Sequence, residues 1–177
     1  MAETLPEPWL RGPVEGVPAL LQPAAHALVM AVEDVERATE GLHPDDLWVE
    51  HGGAASVGFH LAHLSGATDR LLTYARGERL SDAQKRQLAA EHPDPPDRPA
   101  LQSLLDRWRA TVAAAMGQLS ETNEETLLIP RYVGRAQLPS TVIGLVFHAA
   151  EHASRHTGQV VTTCKILRDA REAATAG

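Results

Sequence analysis

The chain has 177 residues, of which 44% are hydrophobic and 22% charged, a composition long and apolar enough to bury a core. Its formal net charge of −7 argues against binding to a phosphate backbone, and its single cysteine, Cys164, excludes an internal disulfide. No stretch reaches the roughly 20 apolar residues of a membrane span, and the opening "MAETLPEPWLRGP" lacks the apolar segment of a signal peptide, so a soluble, cytoplasmic protein is expected.

The first helix is predicted from Val17 to Glu40, where Leu20, Leu21, Ala24, Leu28, Val32 and Val35 fall at steps of three and four and make one apolar stripe. Pro23 bends this helix or marks a late start, and Gly41 with "LHPDD" ends it. The second is predicted from Ser56 to Arg76, with Ser56 as N-cap and Gly77 closing it. A short amphipathic piece follows, Ser81 to Glu91, and then the proline-rich connection "HPDPPDRP". The third long helix spans Ala100 to Leu119 and turns Leu101, Leu104, Leu105, Trp108, Val112, Ala115 and Met116 inward. "IPRYVGRAQLP" reads as a short hairpin or an ordered loop, and the last helix is predicted from Thr141 to about Arg168. The expectation is an all-α four-helix bundle with a short extra helix and an ordered loop before the last helix. It forms one domain over 1–177, with its helical core at about 17–168.

"VFHAAEHASRHTGQVV" places His148, His152 and His156 four residues apart, so they form a file along the last helix. Leu145, Ala149 and Val160 lie near the same face, which turns the file partly inward. Buried neutral imidazoles need partners, and a metal ion supplies one while holding them neutral. The second helix offers His60 and His63 in "FHLAHLSGATDR" as further ligands. The bland alternative is a set of core or surface histidines without metal. A second alternative is the zinc motif H-x-x-E-H in "HAAEH", with Glu151 activating water. That motif requires a downstream carboxylate ligand, and only Asp169 and Glu172 remain, in what reads as a tail.

"GFHLAHLSGATDRLLTYARGE" followed by "HAAEHASRHTGQVV" resembles the DinB/YfiT-type metalloenzyme superfamily, from about Trp9 to Arg168. The resemblance implies an up-and-down bundle with His63 as the ligand from the second helix. It implies His152 and His156, before Thr157-Gly158-Gln159, as the pair from the fourth. Arg155 departs from the pattern, since many relatives carry a histidine there. His60 and His148 are extra, one turn away, and are read as outer donors or alternative ligands; Gln159 and Asp69 are read as supporting residues. The implied cofactor is a divalent ion, zinc or nickel first, then iron, cobalt or manganese. The implied activity is a metal-dependent thiol S-transferase, or a hydrolase, acting on a small molecule, with a low-molecular-weight thiol as partner. The alternative is a non-catalytic metal-binding or stress-response protein. A homodimer is expected, with no nucleic-acid or membrane partner.

Overall fold

The computed structural model describes residues 6–93 and 95–175; the outermost ends of the expected domain and Asp94 of the proline-rich connection lie outside the described residues. Five α-helices and a two-stranded sheet follow one another as α1 (Gln22–Thr39), α2 (Val57–Ala75), α3 (Asp82–Ala90), α4 (Leu101–Glu121), β1 (Pro130–Val133), β2 (Leu138–Thr141) and α5 (Val142–Thr175).

Pro23 marks a late start and no bend. Ala19–Leu21 form a 3-10 turn, and α1 begins at Gln22 with proline in its first turn, where a missing N–H costs nothing. Leu20 is consequently outside the stripe and 61% exposed. Ser56 caps α2 by accepting from the Phe59 N–H at 3.2 Å. Ser81 and Gln84 form a reciprocal capping box on α3, so nine residues hold as a helix although none of them is buried.

Two expectations are corrected. The segment before the last helix is an antiparallel hairpin, Pro130 pairing with Thr141 and Val133 with Leu138, so the fold is mostly helical and not all-α. Gly134 at φ +67 supplies the left-handed residue that the connection needs. The last helix runs past Arg168 to Thr175, because no proline or glycine interrupts it. Asp169 and Glu172 are thus helical residues and not a tail. Arg168 and Arg171 tie these turns down, the first donating to the Glu40 carbonyl at 2.7 Å and the second pairing with Asp46 at 2.7 Å.

The principal contacts of the long helices run α1–α5, α5–α2, α2–α4 and α4–α1. Leu28, Val35, Leu61, Leu64, Leu104, Trp108, Leu119, Val146 and Val160 fill the space between them. Gly58 lets α2 approach the Trp48 ring, which occupies the space a Cβ would take. Among the described residues, no helix is long and apolar enough to cross a membrane. What matters for the site is the direct packing of α2 on α5, since these carry five of the nine histidines.

Candidate metal centre

α2 and α5 bring His63, His152 and His156 together, with one ring nitrogen from each within 4.8 Å of the other two. All three are partly buried. Their ring centroids are separated by 4.5 Å (His152–His156), 4.7 Å (His63–His156) and 5.0 Å (His63–His152). The three are therefore positioned for a metal ion.

His63 is oriented from two sides. Its Nδ1 lies 2.9 Å from Glu91 Oε2, at the C-cap of α3, and its ring stacks on Phe59 at an interplanar angle of 6°. The carboxylate can only accept, so Nδ1 is the donor of this bond and Nε2 is the nitrogen turned toward the other histidines. Glu91 is in turn clamped by both terminal nitrogens of Arg70, one of them at 3.0 Å. Burial pushes the Glu91 carboxyl up, but the bonds from His63 and Arg70 outweigh it and leave the group below its usual range.

His63 Nε2 faces His152 Nε2 at 3.4 Å. A tetrahedral ion with nitrogen bonds of about 2.0–2.1 Å holds its ligand atoms about 3.3–3.4 Å apart, so this separation fits a shared ion without movement. His156 is engaged on its far side by His60, Nδ1 to Nδ1 at 3.0 Å, which leaves Nε2 as its free nitrogen. Burial first, and then the neighbouring imidazoles, push His152 and His156 down to about 4. At neutral pH both are uncharged, as metal ligands must be. His152 Nδ1 is buried without a protein hydrogen bond.

The other predicted residues lie around this group or away from it. His60 is 5% exposed and directly behind His156. His148 is half-exposed beside His152 and faces Glu151 at 3.4 Å. Glu151 also binds Arg155, an i,i+4 pair on the outer side of α5, and the zinc motif's would-be base is thus tied up in surface ion pairs. Asp69 accepts from Gln84 at 2.7 Å, and Gln159 is exposed. Cys164 is buried, and burial pushes its thiol up to about 11, which makes it an inert core residue. The residue missed from the sequence is Glu91, which Arg70 holds. Gly66 was the available signal, because a side chain there would occupy the space of their polar ends.

A model of the DinB superfamily matches residues 6–160. The chain belongs to the DinB superfamily. Two solved structures share the DinB-type fold of this chain. One is a conserved protein from Enterococcus faecalis, 21% identical with a TM-score of 0.65, covering 81% of this chain and 94% of its own. The other, from Streptococcus pneumoniae, is 12% identical with a TM-score of 0.61, covering 84% of this chain and 90% of its own. No curated protein matches the sequence.

Proposed function

We propose that this DinB superfamily protein is a metal-dependent enzyme, with His63, His152 and His156 holding one divalent ion on an up-and-down four-helix bundle of one domain. The observation that carries the reading is the pair of Nε2 atoms at 3.4 Å, one of them turned toward the other by the bond of His63 Nδ1 to Glu91. Three protein ligands leave a coordination position for water or substrate, as catalytic sites do and closed structural sites do not. A divalent ion in such a site supplies Lewis acidity and lowers the pKa of a water or thiol that binds to it.

The chain's own residues have separable tasks. His63, His152 and His156 bind the ion; Glu91, held by Arg70, fixes the tautomer and angle of His63; His60 supports His156 from behind. Zinc or nickel leads among the candidate metals. The reaction class favoured is transfer of a small thiol to an electrophile, with hydrolysis second. The ion as a purely structural or regulatory group is the contrasting reading. The expected homodimer has one feature behind it: Leu128, Leu138 and Phe147 of the hairpin region and early α5 are 77%, 61% and 66% exposed.

The test is elemental analysis of untagged protein beside His63→Ala and His156→Ala. The proposal expects about one ion per chain, lost in both variants, and a bound ion that small thiols reach, seen as a thiolate charge-transfer band on cobalt substitution. Retention of full metal content in His63→Ala would overturn the ligand assignment. A cobalt spectrum indifferent to thiols and to small anions would favour the structural role.

A further inference from the structure

A groove of about 880 Å³ lies where the end of α2, α3 and the hairpin meet. Four of the chain's 16 Lys and Arg line it, Arg79, Lys85, Arg131 and Arg135, against one of its 23 Asp and Glu, Glu78. In a protein of net charge −7 this is a local reversal of sign. Glu78 is also neutralised from outside, by Arg76 at 2.9 Å. Lys85 pairs with Asp82, but among the described residues the three arginines meet no carboxylate. Arg131 donates to the carbonyls of Ala75 at 2.7 Å and Pro130 at 3.0 Å. Among the described residues, Arg79 and Arg135 have neither a hydrogen bond nor an ion pair. The remaining wall is apolar: Leu80, Leu88 and Pro130, with the ring of Tyr132, and Leu88 is 46% and Tyr132 54% exposed.

Unpaired guanidiniums around an apolar wall are complementary to one chemical class. We propose that this groove binds a small, soluble amphiphilic anion, its apolar body against Leu80, Leu88 and Tyr132 and its carboxylate or sulfonate between Arg79 and Arg135. Guanidinium forks bind such heads through charge-assisted hydrogen bonds, and the apolar strip takes the ligand's body out of water. The volume is that of a small-molecule site. The site is independent of the metal reading, since none of its lining residues belongs to the histidine group.

Metal-free protein is titrated with anilinonaphthalene sulfonate and, separately, with the uncharged phenylnaphthylamine of the same aromatic body. The groove predicts saturable binding of the sulfonate, at least about tenfold tighter than the neutral dye and weakening with salt. Arg79→Glu combined with Arg135→Glu abolishes that preference, whereas Arg37→Glu, a reversal on α1, leaves it intact. Equal affinity for the two dyes, or a preference that survives the double reversal, overturns the proposal. Both guanidiniums are exposed and bond nothing among the described residues, so the double variant is expected to keep the wild-type circular dichroism and melting temperature. Were it to misfold, the preference and its salt dependence in the wild type still decide.

Discussion

Replacing Gly66 by alanine adds one methyl group beside the candidate centre, and its two consequences have opposite signs. Within α2, alanine is preferred to glycine by about 1 kcal/mol. A Cβ at position 66 would stand 2.7 Å from an Arg70 terminal nitrogen, 3.0 Å from Gln87 Nε2, and closer still to Glu91 Oε1. All three are ends of flexible side chains, so the helix itself need not move. Glu91, however, must leave the position from which it accepts from His63 and Arg70. The metal-free protein should therefore lose stability, because the Arg70–Glu91 pair is only 10% exposed and its disruption outweighs a helix preference of about 1 kcal/mol. Metal affinity should fall about 10–100-fold, as it does when an outer partner of a ligating histidine is lost, or about 1.4–2.8 kcal/mol. Urea unfolding of the metal-free protein and a zinc titration against a competing chelator measure the two quantities separately. Unchanged affinity in Gly66→Ala would refute the reasoning that Glu91 positions His63.

The remaining predictions use the same side chains. His152 and His156 are held at about 4 when folded but return toward 6.5 when unfolded, so the unfolded chain takes up protons first. Stability of the metal-free protein is then full above about pH 6.5 and falls as pH drops toward about 4; urea midpoints at neutral pH and near pH 5 check this, and equal midpoints would contradict it. His148→Ala should leave metal content unchanged, because its half-exposed ring faces Glu151 and not the centre; loss of the ion would revive the zinc motif. Cys164 should react with an aromatic disulfide reagent only as fast as the protein unfolds, given its burial and raised pKa. Rapid modification of the native protein would place Cys164 elsewhere. Phe147→Glu should shift the protein to the monomer in light scattering if the exposed hairpin face is the dimer contact.

Helices were legible because their signals are local. Ser56 and the Ser81–Gln84 box mark starts within four residues, and apolar steps of three and four in "LLDRW" or "LVFHAA" record which face is buried. The histidine file was legible for the same reason, since i and i+4 are neighbours on any helix. That the second helix supplies a further ligand followed from the need of a bundle site for more than one helix, and the choice of His63 over His60 rested on resemblance. Glu91 shows the limit more sharply. It lies 28 residues beyond His63 on a different helix, across a connection whose path no local rule specifies. Gly134 and Gln137, both at positive φ, decided between a hairpin and a loop, and the positive φ of Gln137 is not a preference its side chain advertises.

The helix that carries Glu91 has little holding it. α3 buries none of its residues, and polar bonds tie it to α2: Gln84 to Asp69 and Thr73, and Glu91 to His63 and Arg70. An element with so little apolar contact opens at a lower free energy than the surrounding long helices. Each such opening lifts the carboxylate away and lets the imidazole of His63 turn. Amide exchange in α3 and the escape of a held ion are thus expected to share one breathing motion, while the long helices stay shut.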